Sequence, residues 1–409
     1  MSNAHDLASA TGFAAARRRD GAARAFAAFD VFRDPRDAGD AWAEIYADGL
    51  ATPYQSLDFV ELWLRTIGRA QKLEPLIVVI RDERGRTTAL LPLAVRSRPG
   101  LRIAEFVGGK HANFHMGVFR AGLAVDRAEV ADLLRRVARA ERLDAFFFTN
   151  QPQTWRGSAN PFAALGGQPS PSFAHATQIR GDFADWFAAH YSKSAQKKLR
   201  KKIRRLETLG PVSSSVARDD AAAREALAAF FAQKEARAKA AGVANDFSDR
   251  AAVQFLETAA HDGLAAGRAM IELRVLRCGE RIVAVFGGMA HARRYCGIVT
   301  SYDQDVEIAR SSPGEWLILD IVRDLHDRGF QMFDLGVGEA RYKDVCCEIR
   351  EPLFDAALAF TAKGRLASIG FTLARRAKRW IKRRPWAWSL AQRLRKNIRL
   401  REAGRRNRA

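Results

Sequence analysis

The sequence predicts an α/β chain of the α+β, mixed-sheet kind, built as two tandem domains, and three observations predict it. The order hairpin, amphipathic helix, apolar strand occurs twice, about 190 residues apart when the two copies are aligned. The length of 409 residues suits two domains with flanking segments better than one. A hydrophobic content of 48% with 28% charged residues is enough to fill real cores, which excludes wholesale disorder and collagen-like or low-complexity chains.

The elements follow in chain order. Residues 1–35 read as a disordered leader: Asp6 comes early, and Arg17-Arg18-Arg19 lie on the wrong side of a short Ala-rich stretch for a secretory signal. The first domain, 36–180, holds the strand LIVVIRD from Leu76, a charged turn at Gly85, and the strand TTALLPLAV ending at Val95. The helix VADLLRRVARAERL then runs into the strand DAFFFTN. A basic linker helix is expected within 181–215, because Leu199, Ile203 and Leu206 recur at i, i+4, i+7 over Trp186–Leu209 and Gly210-Pro211 stops it.

The second domain, 216–362, opens on a helix at Ala221–Ala241. It repeats the pattern with IELRVLR, a turn at Cys278-Gly279-Glu280, RIVAVFGGMA, a third strand RRYCGIVTSYD, the helix EWLILDIVRDLHDRG and the strand FQMFDLG. A tail of 363–409 follows.

The net charge of +21 is local. Beyond Phe371 fifteen Lys and Arg face Glu402 alone, and eight more cations crowd Lys193–Arg205, so the rest of the chain is nearly neutral. The second cluster reads either as a solvated helix face or as a clamp for phosphates or lipid headgroups. No apolar run reaches the ~18 residues of a spanning helix. Cys278, Cys296, Cys346 and Cys347 lack metal-ligand spacing, which points to a reducing, cytosolic compartment.

The chemistry is expected between Tyr295 and Lys343. Ser312 is a candidate N-cap, with Pro313 at N1, Gly314 at N2 and Glu315 at N3, the arrangement of a capping box. The same turn offers free N–H groups, a positive dipole and a glycine that lets a pyrophosphate approach, with Arg310 beside it for a bidentate contact.

The hairpin, strand, Arg-Ser-Ser-Pro-Gly turn, helix and FDLGVGEARYKD together resemble the second domain of double-GNAT acyltransferases. Within them the resemblance is to the Fem-like group, and in particular to CelD-type acetyltransferases of cellulose biosynthesis. It covers about 52–360 and is strongest over 279–344. Against the general phosphate signature Arg/Gln-x-x-Gly-x-Gly/Ala, Pro313 takes the first Gly position and Glu315 the second. The resemblance implies two GNAT-like domains and acetyl-CoA or another acyl-CoA as co-substrate. The pyrophosphate would lie over Arg310, Ser311, Ser312 and Gly314, and the thioester near Tyr295–Tyr302.

Direct transfer to an amine or hydroxyl needs a base for the acceptor and an acid for the thiolate, with a strand N–H for the oxyanion. Asp303 and Asp305 are base candidates, though acidic residues after strands are usually turn-formers. Tyr302 or Tyr342 is the candidate acid, Lys343 matches the Tyr-Lys of the group, and Asp334 orients Lys343 or caps a loop. The first domain lacks the Ser-Pro-Gly turn and is expected to bind no second cofactor; its stretch Gly108–His115 is implied to border the acceptor cleft. His111 and His115 would share a face if helical, but no carboxylate lies near them in sequence, and no metal site is expected.

The tail carries Leu373, Ala377, Trp380 and Ile381, then Pro385, Trp386, Trp388, Leu390, Leu394 and Ile398 among Arg, which reads as two short amphipathic helices suited to an anionic membrane surface. No sequence-specific nucleic-acid motif is present. Three functions remain open. One is a cytoplasmic, peripherally membrane-associated acyl-CoA transferase acting on a glycan or small-molecule acceptor of envelope or exopolysaccharide synthesis. The others are a Fem-like transferase using aminoacyl-tRNA, and a non-catalytic scaffold at a membrane synthase.

Overall fold

A computed structural model describes residues 24–384 apart from 244 and 246, together with 386 and 387. The first half contains β1 (Ala28–Phe32), α1 (Gly39–Tyr46), α2 (Leu57–Trp63), β2 (Glu74–Arg81), β3 (Thr87–Arg98), β4 (Leu101–Phe106), α3 (Arg127–Ala140), β5 (Ala145–Pro152) and β6 (Ala174–Gln178). Next come α4 (Phe183–His190) and α5 (Lys193–Glu207). The second half contains β7 (Val212–Val216), α6 (Asp220–Ala241), α7 (Arg250–His261), β8 (Glu272–Cys278), β9 (Arg281–His291), β10 (Arg294–Tyr302), α8 (Val306–Ala309), α9 (Pro313–Asp327), β11 (Met332–Val337), α10 (Arg341–Cys346), β12 (Leu353–Ala359) and α11 (Ala362–Lys382).

The duplication read from the sequence is present as two mixed sheets. One is ordered β1-β2-β3-β4-β5-β12 and the other β7-β8-β9-β10-β11-β6. Four antiparallel strands lead each sheet, and a short parallel pairing follows, β4 with β5 and β10 with β11. Each sheet takes one strand from the other half: β12 pairs with β5, and β6 with β11, and the short strands Gln168–Pro169 and Ile349–Glu351 pair on beyond β12 and β6 respectively. The expected boundaries at 180 and 216 therefore cut across both sheets, because each half donates a strand that closes its neighbour. A common core reinforces the exchange, with Phe59 of α2 edge-on to Phe255 of α7 at 5.4 Å.

Three further expectations change, those for the leader, the linker helix and the tail. Ala28–Phe32 is a strand paired along β2, so the leader does not extend to 35; residues 1–23 lie outside the described residues. The linker helix is two helices, broken where Tyr191 turns extended and the Ser192 hydroxyl caps α5 by accepting from the Ala195 N–H. His111 closes a 3-10 turn and His115 follows in a loop, so they share no helical face.

The tail begins as part of the body. Phe371 of α11 stacks on Phe147 at 4.4 Å, and Arg375 donates to the buried carboxylate of Asp355 at 3.0 Å. The second predicted tail helix, after Pro385, lies outside the described residues apart from Trp386 and Ala387.

Candidate active site

β10 and β11 pair through Arg294–Met332, Tyr295–Phe333 and Cys296–Asp334 and then part. Two strands that diverge leave backbone groups without ladder partners, and a side chain of the first half takes them up. Asn113 donates from Nδ2 to the Gly297 carbonyl at 2.8 Å and to the Tyr54 hydroxyl at 2.6 Å, while its Oδ1 accepts the Val337 N–H at 3.1 Å. Tyr54, fully buried, donates to the same Gly297 carbonyl at 3.1 Å, and burial pushes its phenol well above the ordinary range. Gly336 has φ +75°, and a Cβ there would stand 2.4 Å from Asn113 Nδ2, so this close approach requires glycine. Of the expected cleft stretch Gly108–His115, Asn113 is thus the residue that reaches into the gap between the strands.

A charge cluster lies at the base of the gap. Asp334 is fully buried; it accepts from the Arg294 guanidinium and from the Gly336 N–H at 2.6 Å. Arg294 also donates to Glu351 at 2.9 Å and lies 3.8 Å over the Trp155 ring. Lys343 is buried and donates to the carbonyls of Gly336 and Val337 at 3.1 and 3.5 Å. Burial lowers its pKa, opposed by the charge of Asp334. Of the two roles expected for Asp334, the loop cap is the one its bond from the Gly336 N–H gives, with its other oxygen on Arg294, and Lys343 holds the Gly336–Val337 turn by its carbonyls.

The first turn of α9 forms differently from the expected capping box. Ser312 adopts φ 51° and ψ 55° and its side chain makes no cap bond. Glu315, which would have completed the box, pairs instead with Lys202 of α5 at 3.0 Å. Leu199 and Leu206 bury the apolar face of α5 in the same cluster as Leu317 and Ile321 of α9, which brings the cationic face to this seam. Arg205 reaches Glu307 at 2.6 Å, and Arg310 is turned to Glu307 at 3.1 Å.

Gly314 stands open: a Cβ there would meet only Tyr302, at 3.8 Å. As the second residue of the helix, its N–H has no intrahelical acceptor. The buried Ser311 hydroxyl has no hydrogen-bond partner among the described residues. Arg237 of α6, a residue without any sequence motif to mark it, lies 5.6 Å over the Tyr302 ring. A free helix N–H, an orphan hydroxyl, an unencumbered glycine and neighbouring cations fit a pyrophosphate.

The remaining predicted residues divide. Asp303 accepts from Arg281 at 2.7 Å and from the Asp305 N–H at 2.9 Å. Asp305 caps α8, accepting from the N–H groups of Glu307 and Ile308. Both serve as turn-formers, the use acidic residues after strands commonly have. Tyr342 is half-buried against the α9 cluster, and burial raises its phenol pKa against the opposing charge of Arg237. Tyr302 ends β10 beside Gly314.

Residues 193–344 match the model of an acetyltransferase (GNAT) domain. The matched segment is well under half of the chain. It contains the divergent β10–β11 pair, the α9 turn and the basic helix α5. A conserved protein of unknown function from Bacteroides thetaiotaomicron superposes with a TM-score of 0.51 at 13% identity, covering 81% of this chain and all of its own. FemX superposes with a TM-score of 0.51 at 10% identity, covering 80% of this chain and 97% of its own. These likenesses are of fold, and they span both halves, as the internal duplication requires. No curated protein matches the sequence.

Proposed function

We propose that the protein is an acyl-CoA-dependent N- or O-acyltransferase, with acetyl-CoA or another acyl-CoA as co-substrate. Its acceptor would be related to the cell envelope or an exopolysaccharide, as in the CelD-type group it resembles. The observation that carries the reading is the open first turn of α9 at Gly314, set beside the divergence of β10 and β11 within the segment that matches a GNAT domain. When bound, acyl-CoA supplies an activated thioester carbonyl.

The chain's own groups supply the rest. The Gly314 N–H and the Ser311 hydroxyl hold phosphate oxygens, and Arg310 exchanges Glu307 for a phosphate. Backbone N–H groups of β10 beyond Cys296, released from the β11 ladder, stabilise the developing oxyanion. Tyr302, next to Gly314, lies at the phosphate end of the donor, and the leaving thiolate takes its proton from water. Asp303, Asp305 and Asp334 each hold a hydrogen-bond partner, and the acceptor loses its proton to water.

The test is calorimetric titration of acetyl-CoA and longer acyl-CoAs into the full chain and into Gly314→Asp, because α11 is part of the body and cannot be trimmed. Saturable binding that the substitution removes supports the reading; equal affinity in both proteins removes the turn from it.

A second reading keeps one observation of its own. Lys193, Lys197, Lys198, Arg200, Lys201 and Arg204 of α5 are exposed, a row able to follow a nucleic-acid backbone, as a Fem-like transferase using aminoacyl-tRNA would need. Failure to bind any acyl-CoA, with tRNA affinity falling steeply as salt rises, would favour it.

A further inference from the structure

Among the described residues nine large hydrophobic side chains are exposed, and five of them fall within Leu366–Trp386. Leu366, Ile369, Leu373 and Trp380 are 74%, 57%, 57% and 48% exposed, at spacings of three, four and seven residues that keep them on one face of α11. Trp386, just past the helix, is 61% exposed and packs edge-on to Trp380 at 5.6 Å. The opposite face is the docked one: Phe371 on Phe147, Arg375 on Asp355, and Lys382 donating to the Ser172 hydroxyl at 2.5 Å. The helix is therefore anchored with its second apolar stripe outward. Arg365, Arg376 and Arg383 run along one edge of that stripe by helical period, and Arg384 lies 4.3 Å over the Trp380 ring.

We propose that the outward face of α11 is a docking surface for an anionic phospholipid bilayer. The stripe of Leu, Ile and Trp enters the headgroup boundary, and the arginines at its edge engage lipid phosphates, their stems lying along the apolar surface. Charge decides among occupants. A second copy of this chain meeting the same face would oppose two rows of arginine. A nucleic acid would satisfy the arginines but leave the aliphatic stripe in water. An anionic membrane surface meets both the apolar face and the cations, each near-surface cation adding about 1 kcal/mol. The C-terminal end of α11 lies against Ser172, and Glu339 of the loop after β11 is close enough to favour the Lys382 charge. The docked face of α11, opposite the stripe, thereby touches the loop that leaves the candidate active site.

The experiment is co-sedimentation of the full chain with vesicles of phosphatidylcholine, with and without phosphatidylglycerol. It is repeated for the triple variant Leu366→Asn, Ile369→Asn, Leu373→Asn, which keeps every charge and leaves the docked face alone. Binding that depends on phosphatidylglycerol and falls by at least about thirtyfold in the variant is expected from burying three aliphatic side chains. Absence of binding by the parent chain overturns the proposal, and so does equal partitioning of the variant, which would assign binding to charge alone. A parent dimer that the variant dissociates would give the stripe to a second copy and overturn it as well. Thermal unfolding of the variant reports its fold, and acyl-CoA titration of the same samples tests the donor site independently.

Discussion

Lys202 Nζ lies 3.0 Å from Glu315 Oε2, joining the basic helix α5 to the first turn of α9. The pair resolves a conflict, since a carboxylate in that turn opposes anion binding and the neighbouring cation offsets it. Lys202→Ala should leave Glu315 uncompensated and weaken acyl-CoA binding about fivefold, a modest figure because both side chains are partly exposed. Adding Glu315→Gln should restore it. Calorimetry on the single and double variants measures the coupling.

Asn113 should be a stability residue as well as a site residue. Asn113→Ala removes three hydrogen bonds and strands the buried Gly297 carbonyl and Tyr54 hydroxyl only in part, because these two still bond each other. The expected loss is roughly 2 kcal/mol in urea unfolding. Donor affinity should fall with it, since the opening between β10 and β11 loses its bridge.

Arg294 neutralises two carboxylates, Asp334 and Glu351, from a nearly fully buried position. Arg294→Leu should cost about 3–5 kcal/mol by leaving both without their partner. The combination Arg294→Leu, Asp334→Asn, Glu351→Gln should recover part of that loss in the same denaturation experiment.

Acid should destabilise the protein through His115. Its ring is buried against Thr149, and burial lowers its pKa from 6.5 to about 4. Between those values the unfolded chain binds a proton that the folded one does not. Stability is then full above pH 6.5 and declines as pH falls toward 4, by roughly 3 kcal/mol at most. His291, also lowered to about 4 by burial, acts with the same sign. The drop in urea midpoint from pH 7 to pH 5 should be smaller in His115→Asn, which keeps a donor toward Thr149.

Where side-chain period alone decides, the sequence is a reliable guide. Leu199 and Leu206 are buried as their spacing predicts, and the repeated hairpins appear at 74–98 and 272–291. Where two signals compete for one residue it is not. Glu315 could cap its own helix or pair outside it, and the choice fell to Lys202, over a hundred residues away in the chain. Asp303 reads in sequence as a base or a turn-former and Asp334 as an orienter of Lys343 or a loop cap, and each is also taken by an arginine that only the folded sheet brings near.

The sequence by itself determined the two hairpins with the helix and strand that follow each, that the pattern occurs twice, and that the α9 turn and the helix α5 carry the features of an anion site. Those properties are local, set by periodicity, turn residues and charge within a few positions. Tertiary structure alone decided the exchange of β6 and β12 between the sheets, the insertion of Asn113 between β10 and β11, and the outward stripe of α11. Each depends on which surface a segment finds for its buried face, and an apolar pattern states that a face must be covered without stating by what.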